Sequence, residues 1–381
     1  MGKSRLRDKS EPVSDPAEFF HWYEEGLLSC LEVHGEKLRV LLLPFISKDL
    51  ARPATKKQRD KFLRLRREAT AFVPIRAATL LEACELLGVS PDALERMKLF
   101  KRDYPISLGK PQIYKLMTHL INEGNVVYGG RRYSTTGGHY YNLDMSLHDR
   151  VAALVTSLGS KWSRGMDSDD VPFTTISAAV TRLLMKAGMV PGKKTRGQYL
   201  HHLPKRILDD PELTRYHIST TMTEEGWPSL GLKIGSKPRI MIGYSRSIDV
   251  TDILPKEYLH SLEITKKYSP GQIPNEIRYM IRTQPFPLLS DEINIIEKSG
   301  IETNIYLTRL YKSTKERVTV EWRVTLEGPE FVKRFADSFG FLAGSSLEKR
   351  FELIWKLYED FKDRQLSQDD QDYLKRQLGR D

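Results

Sequence analysis

The sequence of 381 residues has few of the features that an exported or membrane protein needs. It contains only two cysteines, Cys30 and Cys84, so neither a disulfide framework nor a four-thiolate zinc site can form. The longest apolar run, Val40–Ile46, is interrupted by Pro44 and is far shorter than the roughly 20 apolar residues of a membrane span. The first ten residues are basic and polar, with no apolar signal core behind them. These absences predict an intracellular protein in a reducing compartment.

Positive charge is distributed unevenly along the chain. There are 60 Lys and Arg residues against 50 Asp and Glu residues, which gives a formal net charge of +10. Between Lys48 and Arg67, nine basic residues are opposed only by Asp49 and Asp60. Such a segment neutralises nucleic-acid phosphates well, although a solvated helix face would have the same composition. Six of its residues are predicted to bind DNA: Lys56, Lys57, Arg59, Arg64, Arg66 and Arg67.

The N-terminal quarter of the chain is predicted to be all-helical after a disordered polar tail over residues 1–15. Apolar spacing typical of a helix runs from Glu18 to about Phe45. A later helix pattern ends at Gly88, and Ser90 followed by Pro91 suits the start of the next helix. This arrangement resembles a helix-turn-helix DNA-binding module, although a helical hairpin without a DNA role has the same pattern. We predict a helical domain over residues 16–105.

The rest of the chain contains an internal duplication. Leu116–Gly124 and Ile218–Gly226 are both helical runs of small and apolar residues that end in Glu-Gly. Strand patterns, a helix ending at glycine, further strand patterns and another helix follow each of them. The two final glycines are 102 residues apart, which is the length of a small domain. We predict two α+β repeats, over residues 106–208 and 209–362, and then a loose polar tail over residues 363–381.

The duplicated motif has a specific chemical consequence. If the two helices pack side by side, Glu123 and Glu225 become neighbours, and their repulsion favours cations between them. Hard oxygen ligands select Mg²⁺, and two metals that bridge a phosphate can activate water and stabilise the leaving oxygen. The alternative is that Glu-Gly merely ends two helices.

These motifs and the blocks that follow them resemble the LAGLIDADG homing endonucleases in their two-motif, single-chain form. The resemblance covers about residues 106–360 and includes blocks at 149–159, 176–195, 291–301 and 331–354. It implies two αββαββα units whose antiparallel sheets form a saddle over the DNA major groove, in a monomer with internal pseudo-two-fold symmetry. It also implies cleavage of double-stranded DNA that depends on two or three Mg²⁺ ions at the repeat interface.

The resemblance assigns roles to individual residues. It makes Glu123 and Glu225 the catalytic metal ligands and places Gly124 and Gly226 in the same metal sites. The family's auxiliary basic residue, which polarises active-site water, would be Lys161 or Lys312, although surface lysines explain both positions equally well. Basic and aromatic residues of the two repeats that are predicted to contact DNA are Arg131, Arg132, Tyr133, His139, Tyr141, Lys233, Lys237, Arg239, Tyr244, Arg246, Arg309, Lys315, Arg317 and Arg323.

Two features depart from the family pattern. The family favours Gly or Ala where the two helices touch, whereas this chain has polar residues that need hydrogen-bond partners in a tight interface: Thr118, Asn122, Ser219, Thr220 and Thr223. The stretch from about 251 to 285 looks like an insertion. It carries five basic residues that contact either flanking DNA or nothing: Lys256, Lys266, Lys267, Arg278 and Arg282.

Two other functions remain compatible with the sequence. A degenerate LAGLIDADG core joined to a helix-turn-helix would be a non-cutting DNA-binding regulator similar to the WhiA-type sporulation regulators. In those proteins the helix-turn-helix follows the core, whereas here it would precede it. An RNA-splicing maturase would bind intron RNA instead. We favour the endonuclease because both acidic positions are kept in this chain.

Overall fold

The computed structural model describes residues 32–33, 75–76, 108–127, 137–158, 160, 162–191, 201–283, 286–314 and 317–379. The predicted N-terminal tail, the basic segment between residues 48 and 67 and the helix-turn-helix pattern lie outside these residues. Arg131, Arg132, Tyr133, Lys161 and Lys315 lie outside them as well.

The described N-terminal residues form one short antiparallel ladder. Strand β1 (Glu32–Val33) pairs with β2 (Ile75–Arg76), with Val33 opposite Ile75. The prediction of a helix through Glu32 and Val33 is therefore wrong at these two residues. The β-branched Val33 and Ile75 suit the strand that they adopt.

The first repeat follows the order helix, strand, strand, helix, strand, strand, helix. Its elements are α1 (Pro111–Glu123), β3 (Gly124–Val127), β4 (Gly137–Tyr141), α2 (Met145–Ser157), β5 (Trp162–Met166), β6 (Pro172–Ile176) and α3 (Ala178–Lys186). The strands form a four-stranded antiparallel sheet in the order β3-β4-β6-β5.

The second repeat has the same order, with additional elements in the middle. A short helix, α4 (Lys205–Asp209), precedes α5 (Pro211–Glu224), β7 (Gly226–Gly231), β8 (Arg239–Asp249), α8 (Pro287–Lys298), β10 (Asn304–Thr314), β11 (Arg317–Glu327) and α9 (Pro329–Ser338). The elements between β8 and α8 are α6 (Lys256–Ser261), β9 (Lys267–Tyr268) and α7 (Asn275–Thr283). The sheet order is β7-β8-β11-β10-β9, so β9 adds a fifth strand to the pattern of the first sheet. The predicted fold class of two αββαββα repeats is confirmed.

Local sequence signals explain where the main helices begin. Helices α1, α5, α8 and α9 all have proline in their first turn, where the missing N–H would have no helical partner. Asp210 caps α5 by accepting hydrogen bonds from the backbone N–H groups of Glu212 and Leu213.

Strand alternation separates two faces of the second sheet. On β8, Ile240, Ile242 and Ile248 are buried on one face, and helices α5, α9 and α10 (Ser346–Phe361) pack against this strand. Along β8, β10 and β11, the residues that alternate with the buried ones form the opposite face, which we call the open face. Successive side chains of a strand point to opposite faces, so the side chains of the open face point away from these helices.

The C-terminal segment differs from its prediction. Residues 368–377 form helix α11 (Gln368–Gln377), whose first turn is capped by Ser367 and Asp370. Leu366 and Leu374 are buried, and the backbone of Leu366 bonds to Gly235 and Ser236. The prediction of a loose polar tail is therefore wrong. The two buried leucines pack this mostly charged segment against the rest of the protein, and the capping box stabilises the start of its helix. Among the described residues, no helix is long and apolar enough to cross a membrane.

Candidate functional site

Helices α1 and α5 pack side by side and run in the same direction. Lys115 Nζ lies 2.5 Å from Glu212 Oε1 near their starts, and Thr221 Oγ1 donates to Asn122 Oδ1 at 3.3 Å near their ends. Contacts at both ends follow increasing residue numbers on both helices, which only parallel packing allows. The ends of the two duplicated motifs therefore lie together, as the sequence predicted.

A pseudo-two-fold relationship connects the contacts across this interface. Asn122 meets Thr221 at a sequence separation of 99 residues, and His119 meets Glu224 at a separation of 105. The 102-residue repeat converts one pair into the other, because it relates Asn122 to Glu224 and His119 to Thr221. The positions are equivalent, but the side chains that occupy them are different.

In one half of the interface, the side chain of Glu224 is fully buried. Its Oε1 lies 2.5 Å from His119 Nδ1 and accepts a hydrogen bond from the Tyr140 hydroxyl at 2.6 Å. Burial and the Glu224 carboxylate raise the pKa of Tyr140 above its ordinary value, so the phenol stays protonated as a donor. His119 Nε2 lies 2.8 Å from the Tyr216 hydroxyl. Because a carboxylate oxygen accepts hydrogen bonds, His119 Nδ1–H is the donor to Glu224.

In the other half, the guanidinium of Arg246 occupies the centre of a buried network. Arg246 donates to Asn122 Oδ1 at 2.8 Å and to both carboxylate oxygens of Glu292, at 2.5 and 3.2 Å. His217 Nε2 lies 3.0 Å from Glu292 Oε1. Burial opposes ionisation of Glu292, but Arg246 and His217 outweigh it and lower the pKa of Glu292 to about 2. The network joins α1, α5, β8 and α8, and hence both repeats.

The two predicted acidic ligands stand at the ends of their helices. Glu123 is the last residue of α1, and Glu225 is the C-cap of α5. The Glu225 side chain is 19% exposed, and its Oε1 lies 3.6 Å from Arg246 Nη1. Since Arg246 is already paired with Glu292, these three groups together retain one formal negative charge. This residual charge can attract a cation to the end of α5.

The glycines after the acidic residues are required by close backbone approach. A Cβ at Gly226 would lie 2.2 Å from the Met222 carbonyl oxygen, and one at Gly124 would lie 2.4 and 2.7 Å from atoms of Leu120. The turn from helix to strand therefore excludes a side chain at either position. This is a structural reason for the Glu-Gly motif, and the placement of these glycines in metal sites stays a prediction.

The hydroxyl side chains of the interface are satisfied by hydrogen bonds. Thr118, Thr220 and Thr223 each donate to the carbonyl four residues earlier in their own helix. Ser219 donates to Phe339 O at 2.8 Å, and Thr223 Oγ1 also accepts from the Leu342 N–H at 2.9 Å. These threonine and serine hydroxyls thus avoid the cost of unpaired burial.

Two residues predicted to contact DNA are buried instead. Tyr244 and Arg246 are 0% and 1% exposed. They alternate along β8 in step with Ile242 and Ile248 and so lie on the same face of the strand. Their side chains therefore point toward the helices, so the prediction that they contact DNA is wrong. The Arg246 charge serves the interface between repeats.

Lys312 is also not where its predicted role requires. It is 5% exposed, and its ammonium donates to Leu259 O at 2.6 Å and Leu262 O at 2.9 Å in the insertion. Gly226, which follows the predicted ligand Glu225, lies in the same cross-strand row as Val324 of β11. Lys312 lies opposite Val318 of the same strand. Six residues of strand separate these rows, or roughly 20 Å. The prediction that Lys312 polarises active-site water is therefore wrong.

Other predicted DNA contacts lie on accessible parts of the molecule. Arg239, Arg309 and Arg323 are exposed on the open face of the second sheet, Arg317 is partly exposed there, and Lys233 and Lys237 are exposed in the loop before β8. Arg323 lies 4.8 Å from the ring centre of Trp227 on the same face. On the first sheet, His139, Tyr141 and Phe173 form an aromatic cluster with centroid distances of 5.4–6.1 Å. Their contact with DNA stays a prediction.

Sequence reasoning missed most of the buried polar network. Glu292, His217, His119, Glu224 and Tyr216 were not singled out, although the histidines share a helix face with the apolar interface residues. Among the described residues, no group of three or more His, Cys, Asp or Glu side chains is arranged to hold a metal ion.

Comparison with known proteins gives matches in structure only. The sequence matches no protein-family model, and a search of curated proteins found no match. Among solved structures, the chain is similar to the meganuclease I-SmaMI bound to uncleaveable DNA, with a TM-score of 0.39, 9% identity, and coverage of 72% of this chain and 98% of that chain. It is similar to the LAGLIDADG homing endonuclease I-LtrWI bound to target DNA, with a TM-score of 0.39, 8% identity, and coverage of 71% and 97%.

A third similar structure is full-length WhiA from Thermatoga maritima, with a TM-score of 0.32 and 8% identity. The match covers 66% of this chain and 62% of the WhiA chain, so it spans less than two thirds of that protein. The solved structures to which this chain is similar thus include a LAGLIDADG homing endonuclease and the N-terminal LAGLIDADG domain of WhiA.

Proposed function

We propose that the protein is a site-specific endonuclease that cleaves double-stranded DNA, with one acidic residue from each repeat in the active site. The observation that carries this proposal is the parallel packing of α1 and α5, which brings the ends of two duplicated helices together at Glu123 and Glu225. A pair of equivalent carboxylates on a pseudo-two-fold axis suits a substrate with two equivalent strands.

The donor set at the helix ends fits Mg²⁺. This ion is commonly held by one or two carboxylates together with substrate phosphates and water, and Glu123 and Glu225 would supply one carboxylate each. When bound, Mg²⁺ would polarise the phosphodiester and stabilise charge on the leaving oxygen. The chain's own contribution is to fix both carboxylates on rigid helices and to leave negative charge at Glu225, since Glu292 offsets Arg246.

The open face of the second sheet and the aromatic cluster of the first sheet supply surfaces suited to duplex DNA. Exposed arginines on β8, β10 and β11 provide phosphate and base-edge donors: Arg239, Arg309 and Arg323. Arginine forms bidentate contacts with guanine in the major groove, so arginines on this face can contribute to sequence recognition. The aromatic cluster of the first sheet adds apolar contacts with thymine methyl groups.

A second candidate function is sequence-specific DNA binding without cleavage. The observation that favours it is the position of Arg246 Nη1, which is 3.6 Å from Glu225 Oε1. A protein cation beside one carboxylate competes with a metal ion for the same negative charge. The bulky polar residues Asn122 and Glu224 at equivalent interface positions are a further difference from a close-packed Gly or Ala interface.

Cleavage of a randomised duplex library separates the two functions. With Mg²⁺, the wild-type protein is expected to enrich cut molecules that share one sequence, and chelation by EDTA is expected to abolish cutting but not binding. Enrichment of bound but uncut duplex at every Mg²⁺ concentration would contradict the endonuclease and support the non-cutting binder. Preference for structured RNA over duplex DNA would contradict both.

A further inference from the structure

The insertion between β8 and α8 is built into the second sheet. Its strand β9 pairs with the outer edge of β10, with Lys267 opposite Tyr311 and Tyr268 opposite Leu310. The Thr265 N–H donates to Lys312 O at 2.7 Å and continues the attachment toward the end of β10. The insertion therefore extends the sheet that carries the predicted DNA-binding arginines.

Lys312 fixes the insertion on the opposite side of the sheet. Its buried ammonium donates to the carbonyls of Leu259 and Leu262 at the C-terminal end of α6. Cations at this end of a helix satisfy free carbonyls and are attracted by the negative end of the helix dipole. Lys312 thus acts as a positioning residue that holds α6 and the adjoining β9 in place relative to β10.

On the open face, β9 completes a depression of about 290 Å³ lined by Ser247, Lys267, Arg309, Tyr311, Thr319 and Glu321. The sheet register explains this set, because Ser247, Glu321 and Arg309 form one cross-strand row and Thr319, Tyr311 and Lys267 form the next. Arg309, which is 45% exposed, pairs with Glu321, so the exposed Lys267 leaves the depression with excess positive charge. Three hydroxyl groups add further donors.

We propose that this depression binds a backbone phosphate of the duplex that occupies the saddle, so that the insertion enlarges the contact of the second repeat with DNA. Ammonium, guanidinium and hydroxyl donors on one concave surface are the groups that bind phosphate oxygens. In the described part of the first repeat, the sheet has four strands and no equivalent of β9, so we expect the footprint on DNA to be asymmetric. This inference rests on the proposed DNA-binding function.

The test compares the salt dependence of duplex binding for Lys267→Ala, Arg309→Ala and the control Lys266→Ala. Lys266 is the matched control because it is adjacent in sequence and also exposed, but it pairs with Glu263 and lies over the Tyr268 ring. Losing one phosphate contact reduces the slope of log K against log salt by about 0.9. We expect this reduction for Lys267→Ala and Arg309→Ala, and a slope within error of wild type for Lys266→Ala.

Lys312→Met provides a second measurement that does not remove a charge from the open face. Lys312→Met should reduce the slope of log K against log salt as Lys267→Ala does. Because β9 loses its support, hydrogen exchange in residues 256–268 should also become faster. Equal slopes for Lys267→Ala and Lys266→Ala, in a protein that binds duplex DNA, would overturn this inference and leave the proposed function standing. Absence of duplex binding by the wild type would overturn both.

Discussion

Arg246 and Glu292 form an ion pair whose side chains are 1% and 0% exposed, with Nη2 of the arginine 2.5 Å from Oε1 of the glutamate. Arg246 also donates to Asn122 of the first repeat. The pair therefore links the second sheet to the interface between repeats. Attraction between buried charges is largely offset by the cost of removing them from water, so its main effect is to fix the geometry next to Glu225.

Replacing one residue of this pair should destabilise the fold more than replacing both. Arg246→Met leaves the Glu292 charge buried without its main partner, and we expect a loss of about 3–5 kcal/mol in the free energy of unfolding. The double variant Arg246→Met with Glu292→Leu should be more stable than Arg246→Met alone. Denaturant unfolding monitored by circular dichroism measures both. Lys333→Met, which breaks a pair exposed by 63% on each side, is the control and should change stability by less than about 1 kcal/mol.

The depressed pKa of Glu292 predicts a pH dependence of stability. The folded-state pKa of about 2 is below the ordinary value of a glutamate. The stabilisation from its ionised form is therefore complete above about pH 4.5 and is lost as the pH falls toward 2. The melting temperature should fall more steeply with acidification in wild type than in Glu292→Gln. Parallel curves for the two proteins between pH 6 and pH 3 would contradict this assignment.

Gly226 should tolerate no side chain. Gly226→Ala places a Cβ 2.2 Å from the Met222 carbonyl oxygen, so the end of α5 must shift, at a cost of about 1–3 kcal/mol. Gly271→Ala is the control, because a Cβ there meets nothing within 4 Å. Thermal unfolding should separate the two variants clearly, and similar melting temperatures would show that the helix-to-strand turn is not tightly constrained.

The hydrogen bond from Tyr140 to Glu224 should contribute to stability. Tyr140→Phe removes the donor at 2.6 Å from a buried carboxylate oxygen, and we expect a loss of about 1.5–3 kcal/mol in unfolding free energy. Tyr373→Phe on the 43% exposed Tyr373 is the control and should be close to neutral. A neutral result for Tyr140→Phe would mean that His119 alone satisfies Glu224.

Sequence patterns predicted the repeated framework because that framework depends on local signals. The Glu-Gly motifs predicted the ends of α1 and α5, and glycine is needed there because a Cβ would collide with the preceding helix turn. The further strand patterns of the second repeat are confirmed as the antiparallel pair β10 and β11. The packing of the two helices followed from the duplication itself.

The side-chain network could be predicted only in part, because it depends on contacts between distant segments. Ile240, Ile242 and Ile248 lie an even number of residues from Arg246 on β8, so strand alternation indicates that Arg246 points inward with them. The prediction that Arg246 contacts DNA used only its charge and its place on a strand. Nothing local in the sequence indicates that Glu292, 46 residues later, pairs with Arg246. The polar composition of the last residues likewise obscured Leu374, whose burial holds α11 in place.

Cleavage by variants at the two helix ends tests the central claim most directly. Wild type, Glu123→Gln, Glu225→Gln and the control Glu212→Gln would be compared with Mg²⁺ on the duplex selected from the library. Glu212 is 73% exposed at the start of α5 and pairs with Lys115, so its substitution should leave cleavage unchanged. We expect each of Glu123→Gln and Glu225→Gln to lower the cleavage rate by at least about 100-fold, from loss of charge stabilisation in the transition state, while duplex binding is retained. Cleavage at the wild-type rate by either active-site variant would contradict the account.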